Sequence, residues 1–181
     1  ALSACVTLPG SDTPSTARYV LRDAAGDCRS PASPLSLSIV RASAGLETER
    51  IARRDVVTGE LTYLAGVRWA DQLPSLLEQQ MARDLECGGH AVMTGHHKTL
   101  GQSRLVCEVR AFNLVEDGSD RAEAWLSCMY YPAAGKPVAL VSRHSTALAS
   151  WSADDAVAAL SATWREVLED IQRGIADAGS H

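Results

Sequence analysis

The chain has 181 residues, 46% of them hydrophobic, which is enough for one domain with a buried core. Its 17 basic and 22 acidic residues give a formal net charge of -5. This balance disfavours nucleic acid as a partner and anionic lipid as the main binding surface. No apolar run approaches the roughly 20 residues that a membrane-spanning helix needs, so any attachment to a membrane has to come by another route.

Residues 2–5, Leu-Ser-Ala-Cys, have the pattern of a bacterial lipobox. The thiol of Cys5 would take a diacylglyceryl group, and the small side chains of Ser3 and Ala4 would let a membrane-embedded peptidase reach the bond before the cysteine. We therefore predict that residues 1–4 are the remnant of a lipoprotein signal peptide and that acyl chains on Cys5 anchor the protein in a membrane. The alternative is a buried or unstructured cysteine without such a role.

The segment after the cysteine has the composition of a tether. Residues 6–16 are rich in proline, glycine, serine and threonine, and fully extended they would span about 36 Å. Val6 stands where an aspartate would favour retention in the inner membrane. We therefore predict a lipid-anchored flexible tether over residues 5–16, an outer-membrane destination, and a single periplasmic domain over residues 17–181.

Two short alternating runs at the start of this domain, residues 17–23 and 35–43, predict strands separated by a loop that contains glycine and proline. A hairpin is predicted to follow. Its turn is formed by Thr58 and Gly59, which brings Arg54 opposite Tyr63.

Two amphipathic helices are predicted, over about residues 73–87 and 153–177. Pro74 can begin the first helix because its missing N–H is not needed there, and a Gly-Gly pair follows the helix. Ser152 can cap the second helix. The two apolar stripes consist of Leu73, Leu77, Met81 and Leu85, and of Val157, Leu160, Trp164, Val167, Leu168, Ile171 and Ile175.

The segment between the helices contains four strand-like runs. They are residues 90–95, 104–115, 121–131 and 137–149, and they are most simply an antiparallel meander. The order of elements predicts an α+β fold, in which an antiparallel-rich sheet is packed on one face by the two helices.

Asp117-Gly118 predicts a tight hairpin turn between the second and third of these runs. Counting outward places Cys107 opposite Cys128, where a disulfide is geometrically feasible, although two reduced core thiols are an equal alternative. The same register pairs Leu105 with Tyr130, Val109 with Leu126 and Ala111 with Ala124. Without Cys5 the chain has four cysteines, and their connectivity stays open.

Residues 62–86, TYLAGVRWADQLPSLLEQQMARDLE, carry the most specific pattern of the chain. Together with the lipobox, the early Tyr19-Val20-Leu21, the hairpin and the C-terminal helix, they resemble the bacterial ABC-type transport auxiliary lipoproteins, the family of paraquat-inducible protein C. The resemblance implies a non-enzymatic protein without cofactor, anchored on the periplasmic face of the outer membrane of a Gram-negative bacterium. It covers nearly the whole chain.

The resemblance also implies partners. These are a mammalian-cell-entry (MCE) domain protein with its associated ABC transporter, the outer-membrane lipid reached by the acyl chains, and further copies of the chain in a homo-oligomeric ring. Tyr19, Tyr63, Arg68 and Trp69 are the signature residues that it carries over. We expect them to be structural, with Trp69 packed at a strand-to-helix junction, whereas the sharper hypothesis places them on a partner-binding surface.

Catalytic motifs are absent from the sequence: it contains no nucleophile elbow, glycine-rich phosphate loop or paired C-x-x-C. His96 and His97 are adjacent and would point to opposite faces of a strand, so we predict no metal site. The alternatives are another envelope-assembly lipoprotein, of the lipopolysaccharide-export type, and a periplasmic hydrolase with an unrecognised site. Arg50, Arg53 and Arg54 could touch lipid headgroups or form a solvated hairpin face.

Overall fold

The computed structural model describes residues 16–22, 28–31, 33–43, 45–95 and 102–179. Cys5, most of the predicted tether and the His96-His97 pair lie outside the described residues. The elements in chain order are β1 (Ala17–Tyr19), β2 (Ser33–Ala42), β3 (Arg50–Asp55), β4 (Leu61–Trp69), α1 (Leu73–Cys87), β5 (His90–Thr94), β6 (Ser103–Glu116), β7 (Arg121–Tyr131), β8 (Val138–Ala147) and α2 (Ala153–Gly179).

The described strands form one mixed, mostly antiparallel sheet with the long strand β6 at its centre. On one side of β6, β7 and β8 follow as antiparallel neighbours. On the other side, β6 runs parallel first to β2 and then to β3. β5 adds to β2, while β4 and β1 add to β3. Both helices pack on one face of this sheet, so the predicted α+β fold is confirmed.

The predicted four-strand meander is wrong in its first strand. β6, β7 and β8 form an antiparallel meander, but β5 pairs parallel with β2. The physical reason is the crossover through α1, which is long enough to return the chain to the free edge of β2 in the parallel direction. A short loop could not have done so.

The predicted hairpin forms from β3 and β4, but its register differs. Arg54 lies opposite Leu61, and Tyr63 lies opposite Ala52. The turn is longer than a Thr58-Gly59 pair because the Asp55 carboxylate accepts hydrogen bonds from the N–H groups of residues 57 and 58 at 2.7 and 2.9 Å. Next to this aspartate turn, the Asp55 N–H donates a hydrogen bond to the Glu60 carbonyl at 3.0 Å and closes the loop.

The predicted register between β6 and β7 is confirmed on one side of a β-bulge and wrong on the other. Leu105 faces Tyr130, Cys107 faces Cys128 and Val109 faces Leu126, as predicted. Beyond the bulge at Arg110, Ala111 faces Trp125 and the predicted pairing with Ala124 is lost. The bulge adds one residue to β6, and the turn contains one residue more than a two-residue hairpin would.

Both predicted helices are confirmed. The first spans the predicted residues, and the second ends two residues later than predicted, at Gly179. The Ser152 hydroxyl accepts the Asp155 N–H at 3.2 Å and so caps α2. Every residue of the two predicted apolar stripes is buried. Phe112 joins the stripes to the sheet, with its ring centroid 5.9 Å from that of Trp69 and 5.7 Å from that of Trp164.

Candidate interaction surface

The sheet face that carries no helix, here called the open face, has a row of arginines at one end. Arg18, Arg68 and Arg50 are register partners across β1, β4 and β3, and such partners point to the same side of a sheet. The Arg50 guanidinium lies over the Tyr63 ring, 4.0 Å from its centroid. Three cationic side chains therefore stand next to one another, and the central one is exposed.

A buried carboxylate organises the middle of the open face. Glu123 of β7 is 3% exposed and accepts hydrogen bonds from Arg54 Nη2 at 2.8 Å and Arg143 Nε at 2.7 Å. The Arg143 guanidinium also lies over the Trp125 ring, 5.4 Å from its centroid. A charged group withdrawn from water needs such partners, and the two charge-assisted contacts hold both arginines in fixed orientations.

The β-bulge opens a cavity beside this cluster. Arg110, the extra residue, forms an ion pair with Glu108 at 2.8 Å. The cavity has a volume of about 390 Å³. Its apolar lining comes from Leu46, Leu61 and Trp125, and its cationic lining from Arg54, Arg110 and Arg143. Bulges often redirect side chains at functional sites, and this bulge places Arg110 on the lining of the cavity.

The two faces of the molecule have opposite charges. Among the described residues, the open face carries nine arginines. It carries four acidic residues, counting those that lie on its strands and those that form ion pairs with its arginines. The two helices of the other face carry nine acidic residues against three arginines. The arginines of the open face are Arg18, Arg41, Arg50, Arg54, Arg68, Arg104, Arg110, Arg121 and Arg143, and the acidic residues are Glu49, Glu108, Asp117 and Glu123.

The four signature residues are divided between the two faces. Trp69 is 1% exposed and packs against Phe112 at the junction of β4 and α1, and Tyr19 packs against the same core. Burial and a hydrogen bond with Asp154 raise the pKa of the Tyr19 phenol. Tyr63 and Arg68 are on the open face, where the Tyr63 hydroxyl donates to the Gly45 carbonyl at 3.1 Å.

The hairpin arginines are divided in the same way. Arg50 and Arg54 are on the open face, whereas Arg53 is on the helix-covered side, where it pairs with Glu116 and lies over the Trp151 ring. Sequence reasoning missed Glu123, Trp125 and Arg143. The alternation in β7, where small and apolar residues occupy every second position from 122 to 130, is the signal that could have found the first two.

All four cysteines of the described residues are paired. Cys107 and Cys128 form a disulfide between β6 and β7, and Cys28 and Cys87 form a second between the segment before β2 and the end of α1. Spacing alone could not identify the second pair, because its two members are 59 residues apart in sequence. Together the two bonds link β6 to β7 and the end of α1 to the segment before β2.

Where β8 packs against α2, three residues are of the types found in a hydrolytic triad, but their hydrogen bonds are arranged differently. The Asp170 carboxylate contacts both Ser142 Oγ, at 2.8 Å, and His144 Nε2, at 2.7 Å. The other imidazole nitrogen faces Glu166 at 3.2 Å. A triad needs the histidine between the serine and the carboxylate, so that the imidazole can take the serine proton. Here the carboxylate is in that middle position, and Ser142 is buried.

A second cavity, of about 650 Å³, lies beside the Cys28–Cys87 disulfide. It is lined by Pro31, Pro34, Val92 and Met93, with His90 at its wall, and Ser142, His144 and Asp170 do not contribute to it. Burial lowers the pKa of His90. Within the described ranges, no three His, Cys, Asp or Glu side chains are grouped as a metal site would require. No helix of those ranges has the length and apolar character to cross a bilayer.

Comparison with solved structures first establishes the class of fold. The chain is similar to a crystallised uncharacterized protein (TM-score 0.66, 16% identity, covering 83% of this chain and 96% of that one). It is also similar to protein XCC0632 of Xanthomonas campestris (TM-score 0.65, 19% identity, 86% and 90% covered). A hypothetical protein of Chlamydia trachomatis follows (TM-score 0.50, 12% identity, 77% and 95% covered). At these identities the likeness shows a shared fold.

The family follows from the sequence match. The protein family described as "ABC-type transport auxiliary lipoprotein component" matches residues 19–172, and the chain belongs to this family. The matched range begins at the last residue of β1 and ends within α2, so it includes β2 to β8 and α1 in full. No curated protein matches the chain at a significant level.

Proposed function

We propose that this chain is the lipid-anchored accessory subunit of an ABC transporter that works with an MCE-domain protein in envelope lipid transport. Cys5 carries the acyl chains, residues 5–16 form the tether, and the domain acts from the periplasmic face of the outer membrane. Membership in the family of ABC-type transport auxiliary lipoproteins is the observation that carries this proposal.

The protein works by binding and assembly, without a catalytic centre of its own. The open face supports this, because its arginines are held by stacking on Tyr63, Trp125 and Tyr131 and by the buried Glu123. Such fixed, partly apolar cationic surfaces suit protein recognition, where arginine and aromatic residues supply most of the binding energy. The hydrolase alternative is weakened by the arrangement around Asp170, in which the serine has no base.

The anchor is tested by producing the full precursor in a Gram-negative host with radiolabelled palmitate and separating the two membranes on a density gradient. We expect label in the outer-membrane fraction for the natural chain and for Ser3→Ala, which keeps a small residue two positions before the cysteine. Cys5→Ser should abolish both the label and the membrane retention. Equal labelling of the Cys5→Ser variant would refute the anchor.

The partner is tested in the same cells by affinity capture of the MCE-domain protein encoded nearest to the gene. We expect the natural chain to retain it and Arg68→Glu to retain less, because Arg68 is exposed in the centre of the arginine row. Lys136→Glu, an exposed charge reversal in the β7–β8 turn, is the matched control. Capture that is absent for the natural chain, or equal for all three proteins, would contradict this role for the open face.

A further inference from the structure

The cavity beside the β-bulge, here called the bulge cavity, combines cationic and apolar lining on the open face. We infer that it is a binding site for one molecule of an anionic amphiphile, in which a phosphate or carboxylate group is joined to an apolar chain. The side chains that line the cavity carry this inference. It rests on the proposed function only for the source of the ligand, which is then an envelope phospholipid or a fatty acid released from one.

The cationic side of the bulge cavity has hydrogen-bond donors left for a ligand. One carboxylate oxygen of Glu123 pairs with Nη2 of Arg54, and the other pairs with Nε and Nη2 of Arg143. A guanidinium group carries five N–H donors in a planar fork, so both arginines keep donors after pairing with Glu123. Forks of this kind bind phosphate and carboxylate groups through two parallel hydrogen bonds.

The charges at the bulge cavity do not cancel. Within the part of the chain that the structure describes, its lining has three guanidinium groups, of Arg54, Arg110 and Arg143, and one carboxylate, of Glu123. Glu108, outside this lining, forms the ion pair with Arg110. Three positive charges less two negative charges leave one positive charge, and the oxyanion of a single ligand would balance it.

The apolar side of the bulge cavity indicates that the ligand is more than a free anion. Leu61 and Trp125 both line the cavity, yet each is 37% exposed. An inorganic anion would leave this apolar surface in water, whereas an attached apolar chain would cover it. The volume of about 390 Å³ lies within the roughly 300–1,000 Å³ that is usual for sites of single small ligands. A concave site of this size takes one molecule rather than a bilayer surface.

The bulge cavity is held in shape without a ligand. Asn113 and Glu123 are register partners on β6 and β7, both line the cavity, and they are 4% and 3% exposed. The Ser43 hydroxyl donates a hydrogen bond to the Arg110 carbonyl at 2.8 Å and so ties the bulge to the residue after β2. A site whose groups are already fixed loses little conformational entropy when a ligand binds.

Isothermal titration calorimetry tests the site on the full chain with Cys5→Ser, which carries no acyl chains of its own. The probes are dihexanoylphosphatidic acid and octanoate as anionic amphiphiles, octyl glucoside as a neutral amphiphile, and inorganic phosphate as an anion without a chain. We expect one or both anionic amphiphiles to bind as a single molecule per chain, at least about tenfold more tightly than the other two probes. Tighter binding of phosphatidic acid would identify a phospholipid as the source, and tighter binding of octanoate a fatty acid.

Two pairs of variants locate the binding site. Arg110→Gln removes a cationic lining group and should weaken binding at least about tenfold, whereas Arg68→Gln removes a charge from the same face outside the cavity and should change the affinity less than about twofold. Leu61→Ser removes apolar lining and should weaken binding at least about threefold. Val141→Ser, at an exposed position of the open face outside the cavity, should leave binding unchanged. Circular dichroism and melting curves establish that each variant folds.

Three results would overturn the inference. The first is that neither anionic amphiphile binds at millimolar concentration. The second is that octyl glucoside or inorganic phosphate binds as tightly as the anionic amphiphiles. The third is that Arg110→Gln and Arg68→Gln have equal affinities, which would assign any binding to the charge of the whole face. If Arg110→Gln did not fold, equal affinities of Leu61→Ser and Val141→Ser would overturn the inference in its place.

Failure of this inference differs from failure of the proposed function. A chain that binds no amphiphile but captures the MCE-domain protein would overturn the ligand site and leave the proposed function standing. A chain that binds the amphiphile in the bulge cavity without capturing that protein would support the site and contradict the proposed partner.

Discussion

The two faces of the sheet are built by the same strands, and β7 shows how differently each face uses them. Ala122, Ala124 and Leu126 point toward α2 and are buried, whereas Arg121 and Trp125 point to the open face. The helix-covered face gains stability by excluding water from apolar groups. The open face keeps charge and aromatic surface accessible, and its buried carboxylate, Glu123, orients arginines rather than filling a core.

The largest expected effect concerns two tryptophans, one on each face. Trp164 of α2 is 1% exposed, so Trp164→Ala should lower the free energy of unfolding by about 3–5 kcal/mol through lost contacts and the cavity that remains. Trp125→Ala, on the open face, should cost less than about 1 kcal/mol. Urea denaturation followed by circular dichroism measures both. Similar losses of unfolding free energy for Trp164→Ala and Trp125→Ala would mean that the open face is covered in the folded protein.

An intermediate effect is expected at Glu123. Glu123→Gln removes the buried charge that Arg54 and Arg143 share, and should cost about 1–3 kcal/mol because charge-assisted hydrogen bonds are replaced by weaker ones. Glu108→Gln, which removes a more exposed ion-pair partner of Arg110, should cost less than about 1 kcal/mol. Denaturation midpoints of the two variants compare them directly. If Glu108→Gln proved the costlier change, the organising role assigned to Glu123 would be wrong.

The smallest effect is a pH dependence on the helix-covered face. Hydrogen bonds from His144 and Ser142, together with the nearby Arg173, hold the pKa of Asp170 below the ordinary aspartate value of about 3.9. A pKa that is lower in the folded state adds stability above the unfolded value, and this contribution is lost as the pH falls through the folded value.

We therefore expect Asp170→Asn to lower the melting temperature by about 1–3 °C near pH 6 and by less at about pH 3. Glu166 also faces His144, so Glu166→Gln is measured alongside it. The control is Asp177→Asn, exposed on the same helix. A destabilisation by Asp170→Asn that is equal at both pH values would assign its effect to packing rather than to charge.

The sequence predicts the helices and strands well, but it predicts only in part which strands pair and in which register. The stripes of α1 and α2 are periodic, and burial of one side follows from the period alone. Register depends on contacts that no local pattern encodes: the Asp55 turn shifts the β3–β4 pairing, and the bulge at Arg110 shifts β6 against β7.

The open face is hidden from sequence reasoning for the same reason. Arg18, Arg50 and Arg68 are separated in the chain, and two strand pairings put them side by side: the parallel pairing of β1 with β4 and the antiparallel pairing of β3 with β4. Tyr63 and Arg68 could be identified by resemblance, but the half-buried position of Tyr63 and the exposure of Arg68 could not, because Trp69 next to Arg68 is buried. The charge of a face depends on the topology of the sheet, which the net charge of -5 does not reveal.

The central position of β6 has a consequence for the order in which the protein can fold. β2 and β3 both use β6 as their parallel partner, yet β6 is synthesised about fifty residues after β3 ends. Until it arrives, the edges of β2 and β3 that face β6 are unpaired, and Leu35, Leu37 and Ile51 lack the part of the core that β6 supplies. The emerging chain therefore keeps strand edges and apolar side chains open until residue 116 is available, a state that favours binding by chaperones and, at high concentration, aggregation.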